Sequence, residues 1–490
     1  MTAKFNWMIV VGDSDKEKAA AEIILNEIHN YEYAAAEIYS ASATDRDALK
    51  DKDVILLGVG NSNRYVIELS DGGKIEKTQE KEGYSLTVFD SPYGKEKKMA
   101  VIFGADGNGL LYGTIDFLNL YMQDVNMIGR LRYEMPSLYE LPFSEQLKDF
   151  RRISSPSVKE RGVWTWGHCI YDYKKFFENM LYAKLNLIVI WVDYVPLNAK
   201  EIVDCAHKLG IKVIWGFSWG WENKSAVVTD FSKPENLDEW KKKIVKKYED
   251  EFKDTGADGI YFQTFTERTV NSIDGNNVAK MATDWVNGIA MELYERFGDM
   301  RIQFGLHATS VKDDIANLKG VDSRMDIVWE DLGSMPFSYM PDDTNGFDET
   351  LSLASKVNIL RGENDRCGFI LKGFSVLDWS VFKHMTERPV IGEASEKFIE
   401  DRIAFKRKQW RLVQAAWLKN IGYAKKAVER LTNQKHGDLN VQMVVEDGML
   451  EGALWFPVAL VSEILWDANA DLGEIIQRVS LNSRTQFANK

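Results

Sequence analysis

The sequence predicts an α/β protein: a (β/α)8 TIM barrel, preceded by an N-terminal α/β sandwich domain and followed by helical C-terminal elements. Three observations carry that expectation. Apolar runs of five to eight residues recur eight times after residue 156, and helical stretches separate most of them. Strand runs buried on both faces and joined by helices are the pattern of a parallel sheet. Eight such units over roughly 310 residues suit a closed barrel better than the competing doubly wound open sheet.

The first 150 residues alternate strand and helix. Trp7 to Val11 is a short apolar run closed by Gly12, Asp13 and Ser14, and Lys16 to Ile28 carries Ala and Ile at helical spacing. Val54 to Val59 and Met99 to Phe103 are two more buried-strand candidates. The second leads through GADGNG (Gly104 to Gly109) into an amphipathic helix from Leu110 to Tyr121. Strand, glycine turn and helix suggest a phosphate loop, but Gly104, Gly107 and Gly109 do not give GxGxxG and no GK[ST] is present. A tight structural turn is the better reading. The polar stretch RRISSPSVKERG (151–162) reads as a linker.

After it come the barrel strands: VWTWG (163–167), LIVIWVDY (187–194), KVIWGFSW (212–219), GIYFQTF (259–265), RIQFGLH (301–307), DIVWE (326–330), CGFILKG (367–373) and VQMVVEDG (441–448). Helical stretches at 174–185, 198–209, 237–253 and 278–297 separate several of them, and 396–431 reads as one long helix carrying Trp410 and Trp417. The domains are therefore expected at 1–150 for the N-terminal α/β unit and 156–470 for the barrel, with a tail at 471–490.

Composition narrows the function. A net charge of −13 argues against nucleic acid, which needs a basic surface. Cys169, Cys205 and Cys367 are too few for a disulfide framework and read as buried free thiols. No CxxC, HExxH or clustered His and Cys spacing points to a metal, and no cofactor is expected. No run reaches the ~20 apolar residues of a membrane span. MTAKFNWMIVVGDSD lacks the layout of a signal peptide, so a cytoplasmic home is expected; a homo-oligomer is compatible with all of this.

In a barrel of this kind the chemistry sits just past the C-terminal ends of the strands. That rule picks Trp166 and His168 after strand one, Trp191 and Asp193 after strand two, and Trp219 after strand three. It picks Glu267 and Arg268 after strand four, His307 after five, Trp329, Glu330 and Asp331 after six, and Lys372 and Asp378 after seven. Indoles crowd these ends with carboxylates among them. Flat rings pack against the C–H faces of pyranoses, and a pair of carboxyls is what glycosidic cleavage uses. An acid among indoles is partly desolvated, which raises its pKa toward the working range. Taken singly, a strand Trp is more often core, and a Glu after a strand is more often a solvated loop charge. It is the combination that favours Glu267 as proton donor and Glu330 as base or nucleophile. Trp166, Trp191, Trp219 and Trp329 would wall the sugar, and Asp193 and His307 would hold hydroxyls. Arg268 and Lys372 would suit an acidic sugar.

Several stretches add a resemblance. GADGNGLLYGTIDFL, RGVWTWG, DGIYFQTFTE and LWFPVALVSEILWDANADL resemble the α-glucuronidase-like and β-hexosaminidase-like glycoside hydrolases, in which a small α/β domain precedes a catalytic barrel. The resemblance to α-glucuronidases implies a general acid at the end of strand four, Glu267, and a base from strands six and seven. Glu330, beside Asp331, holds the strand-six position; strand seven instead carries Lys372, with Asp378 further on. The β-hexosaminidases place an Asp–Glu pair at the end of strand four, where this chain has Thr266–Glu267. The expected function is a glycoside hydrolase acting on an oligosaccharide or glycoside, with a uronic-acid-bearing or plant-type substrate implied. A hexosaminidase-like exo-hydrolase and a carbohydrate-binding protein without turnover are the alternatives.

Overall fold

The computed structural model describes residues 5–29, 34–122, 149–217, 233–263, 266, 270–331, 333–362, 365–374, 385, 387–434, 438–482 and 484–488. The chain forms two compact units, Met1–Pro156 with Leu481–Arg484, and Ser157–Ser480 with Thr485–Lys490.

The first unit is a six-stranded mixed sheet with helices. Its elements are β1 (Phe5–Val11), α1 (Asp15–His29), β2 (Ala34–Ser40), β3 (Asp53–Val59), α2 (Arg64–Asp71), β4 (Tyr84–Asp90), β5 (Lys98–Gly104), α3 (Gly107–Phe117) and β6 (Phe150–Ser154). The strand order is β2-β1-β3-β5-β4-β6, with β4 antiparallel to both neighbours. The stretch expected to be a linker from 151 is thus in part a strand. Its burial merely alternates between half-buried and exposed, as befits an edge strand packed on one face, so its polar residues disguise it. The GADGNG turn is structural. Asp106 caps α3 by accepting from Gly109 N at 2.9 Å, and its other oxygen accepts from Glu82 N at 2.8 Å. Such a cap contributes about 1 kcal/mol. A Cβ at Gly109 would collide with the Gly83 carbonyl, so glycine here permits backbone contact.

The second unit is a closed barrel of eight parallel strands. In chain order it contains β7 (Glu160–Trp166), α4 (Tyr173–Tyr182), β8 (Leu187–Trp191), α5 (Ala199–Lys208), β9 (Lys212–Gly216) and α6 (Pro234–Lys247). It continues with β10 (Gly259–Gln263), α7 (Val278–Phe297), β11 (Arg301–Leu306), β12 (Met325–Trp329), α8 (Phe347–Asn358), β13 (Cys367–Leu371), α9 (Glu396–Gln434) and β14 (Leu439–Val444). Helices α10 (Phe456–Trp466) and α11 (Leu472–Leu481) follow. Local chemistry sets the helix ends. Asp172 accepts from the amides of Lys174 and Lys175 to start α4, and Asn277 accepts from Lys280 N to start α7. Gly298, at φ 78°, ends α7 in a conformation that favours glycine.

Inside the barrel, alternate residues of each strand face the axis. Leu187, Val189, Ile214, Val328, Ile370 and Val444 form the packed interior with Trp164, Trp166, Trp191 and Tyr261. The N-terminal end is closed by ion pairs. Arg301 donates to Glu160 Oε1 at 2.7 Å and to Asp326 Oδ2 at 2.9 Å, while Lys212 reaches Glu160 at 2.7 Å and Arg366 reaches Asp326 at 2.6 Å. Burial alone would raise the Glu160 pKa, but Arg301 and Lys212 outweigh it and hold the carboxyl at about 2. With one end filled, only the C-terminal mouth is left for chemistry.

Among the described residues no helix is long and apolar enough to cross a membrane, and no group of three or more His, Cys, Asp or Glu side chains is disposed to hold a metal. Cys169, Cys205 and Cys367 are free; the first and last are buried and Cys205 is half-buried.

Candidate active site

The inward alternation continues past the strand ends. On β12, Asp326 and Val328 face the axis, so Glu330 does too, stacked above Val328. Its neighbours come from strands on either side. Tyr261 and Gln263 face inward from β10, His307 follows β11, and Lys372 follows β13. The backbone supports this placement: Glu330 N donates to the Leu306 carbonyl at 2.8 Å, extending the β11–β12 ladder by one residue.

These five side chains make one buried polar cluster above an aromatic floor. The Tyr261 hydroxyl donates to Glu330 Oε1. Around Oε2 stand Gln263 Nε2 at 3.5 Å, His307 Nε2 at 3.8 Å and Lys372 Nζ at 3.8 Å. The Gln263 amide also contacts His307 Nε2, and the Lys372 ammonium lies 4.9 Å above the Tyr339 ring. Glu330 is 6% exposed and Lys372 1%. Burial pushes the Glu330 carboxyl up to about 7, and the Lys372 charge opposes it. Burial likewise drives His307 down to about 3, helped by Lys372, so its imidazole is neutral. The cluster therefore offers one carboxyl that changes state near neutral pH, with the Lys372 side chain beside it.

The floor consists of Trp164, Trp166, Trp191 and Tyr261. Trp164 meets Trp166 edge-on at 4.7 Å and lies 5.8 Å from Trp191, while Tyr261 sits 6.0 Å from Trp164 and 6.3 Å from Trp191. Trp166 and Trp191 are thus brought together beneath the polar cluster, each mostly buried in the other aromatics.

Other expected site residues take different places. Trp329 requires correction: it is fully buried and lies on the face of β12 opposite Glu330, so it packs outside the barrel axis and cannot wall a sugar. Asp331 is buried, and its carboxylate accepts from Gly333 N at 3.1 Å, holding a turn. Asp193 is buried and accepts from Met385 N at 2.6 Å, while Lys247 donates to its backbone carbonyl at 2.6 Å. His168 lies in a turn after β7 with an exposed side chain. Glu267, Arg268, Trp219 and Asp378 lie outside the described residues. Thr266, next to Glu267, is buried and accepts the His307 amide at 3.2 Å, a structural reason for a hydroxyl at that position.

Sequence reasoning passed over Tyr261 and Gln263, because both sit inside an apolar run; their alternation with Gly259 was the available signal. It also passed over a second carboxyl group of residues where β14 and β7 end. Glu446, two residues beyond inward-facing Val444, is buried, as are Asp447 and Glu451. Asp447 is held by Arg402 at 2.8 Å and the Tyr171 hydroxyl at 2.6 Å, and Glu451 accepts from Tyr171 N at 2.7 Å. Burial raises Glu451 to about 7, against the pull of backbone amides at Tyr171 and its neighbours.

No protein-family model matches the chain, and no curated protein is similar to it in sequence. Solved structures are similar. The structure of CpGH84B aligns with a TM-score of 0.52 at 11% identity, over 98% of this chain and 71% of that one. The GH20 β-N-acetylhexosaminidase of Streptomyces coelicolor A3(2) aligns with a TM-score of 0.52 at 11% identity, over 98% of this chain and 92% of that one. An inactive mutant of the GH20 exo-β-N-acetylglucosaminidase from Vibrio harveyi aligns with a TM-score of 0.50 at 9% identity, over 100% and 76%. At these identities the likeness is one of fold: an α/β unit followed by a closed (β/α)8 barrel, shared over nearly the whole chain with proteins named as glycoside hydrolases.

Proposed function

We propose that the protein is a glycoside hydrolase whose second carboxyl is Glu330, with Glu267 as the proton donor to the leaving oxygen. The observation that carries this reading is an inward carboxyl of pKa about 7 above a floor of indoles at the open end of the barrel. A base works best when its pKa lies near the working pH. A nucleophilic carboxylate must also leave again, which favours a lower pKa than this, so Glu330 acts as a base toward water. N-acetylhexosaminides are the first substrate class, supported by the names of the proteins that share the fold. Uronides are the second, supported by the buried ammonium of Lys372 beside Glu330.

The test is hydrolysis of a panel of aryl glycosides and oligosaccharides that includes both classes, with wild type, Glu330→Gln and Glu267→Gln run together. Turnover by wild type and its loss in both variants is expected. Sugar binding without turnover by any of the three would make the protein a carbohydrate binder on the same barrel. Full activity in Glu330→Gln would move the base elsewhere.

A further inference from the structure

The two oxygens of Glu330 are not equivalent. Oε1 accepts the Tyr261 hydroxyl, whereas among the described residues the neighbours of Oε2 stand at 3.5 to 3.8 Å. Residue 305 explains how the tyrosine gets there. Gly305 lies between the two, paired in the sheet with Gln263 on one side and Val328 on the other. A Cβ at this position would overlap the Tyr261 hydroxyl and meet Glu330 Oε1 at 2.5 Å. The φ of Gly305 is not in the left-handed region, so its lack of a side chain serves space and not backbone conformation.

We propose that Tyr261 and Gly305 are positioning residues that clamp Oε1 and thereby make Oε2 the oxygen that exchanges the proton. The inference rests on the glycoside-hydrolase reading for the identity of its reaction partner. In that reaction, Oε2 takes a proton from water as the water oxygen bonds to the anomeric carbon. The glycosidic C–O bond breaks with its electron pair going to the leaving oxygen, which receives a proton from the general acid. Among the described residues, the groups facing Glu330 are Tyr261 and Gln263 from β10, His307 after β11 and Lys372 after β13, with His307 neutral and Lys372 favouring the ionised carboxyl. A phenol that donates to the carboxylate favours its ionised form.

The experiment is carboxyl 13C NMR on protein labelled at the Glu side chains, with the Glu330 signal assigned by its loss in Glu330→Gln, alongside kcat and KM across pH. In Tyr261→Phe the ring packing is kept and only the hydroxyl goes. The Glu330 midpoint should rise by about one to two pH units. The acidic limb of kcat should move with it and KM should change little. Gly305→Ala should give the same rise, and the double variant Tyr261→Phe/Gly305→Ala should add nothing further. If Gly305→Ala does not fold, Tyr261→Phe decides alone. A midpoint unchanged in Tyr261→Phe overturns the clamp whether or not the enzyme turns over. A midpoint that rises in a protein hydrolysing no glycoside leaves the clamp standing and removes the hydrolase reading.

Discussion

Glu330 is held between two opposing influences: enclosure, which favours its neutral form, and Lys372, which favours its charge. Removing the lysine should therefore weaken the carboxylate side. On the proposed hydrolase reading, the rise of kcat/KM with pH is expected to lie about a unit or more higher in Lys372→Met than in wild type, read from a pH–rate profile. Glu451 makes a cleaner stability case because what chiefly opposes its burial is backbone amides. Its carboxyl is raised to about 7 when folded and ionises near 4.5 when unfolded. Between those values the unfolded chain binds fewer protons, so stability falls as pH rises and the cost is constant above 7. Glu451→Gln should then be more stable than wild type at pH 8 by on the order of 3 kcal/mol, converging with it near pH 4.5, as measured by urea unfolding at each pH. Glu330 was legible in the sequence because it follows an apolar strand directly. Tyr261 was not, since an inward tyrosine in a strand looks the same whether it packs or donates. Trp329 misled for the related reason that adjacent residues on a strand face opposite ways.

At the level of elements, the ion-pair group at the N-terminal end of the barrel ties β7, β11 and β12 together through buried charges and β9 through the more exposed Lys212. Removing Arg301 takes the central cation from two buried carboxylates, Glu160 and Asp326, and leaves each only its peripheral partner, Lys212 or Arg366. Arg301→Met should cost about 3–5 kcal/mol in urea unfolding. The pH dependence has the opposite sign to that of Glu451. Glu160 is depressed to about 2, so its stabilisation is present above its unfolded value of 4.5 and drains away as pH falls toward 2. Glu160→Gln, which lacks this stabilisation, should unfold at a higher pH than wild type on acid titration, and a wild-type midpoint above the variant's would contradict the assignment. Strong periodicity made the elements readable. Helix α7 at Val278–Phe297 is read to the residue, and each of the eight barrel runs contains a strand core. What escaped were β2, β4 and β6, where short Ala-rich or alternating polar stretches earn their place only through pairing with neighbours.

For the whole molecule, the barrel sheet closes on its own eight strands and takes none from the N-terminal unit. Residues 157–490 produced alone are expected to fold cooperatively, with far-ultraviolet dichroism of an α/β protein and the Glu330 cluster intact. A molten product would show that the barrel depends on the first unit. The fold was open to reading because burial on both faces stamps a parallel strand with apolar residues throughout. The polar cluster was only partly so, since which inward side chains touch one another depends on the stagger between strands, and no single strand records it.

The packed interior and the ionic seal beneath it also govern traffic. Among the described residues, side chains fill the barrel from the indole floor down to Arg301, so Glu330 is closed off from the N-terminal end. On the proposed hydrolysis, substrate and products would share the C-terminal mouth, so a product that lingers there would block the next substrate.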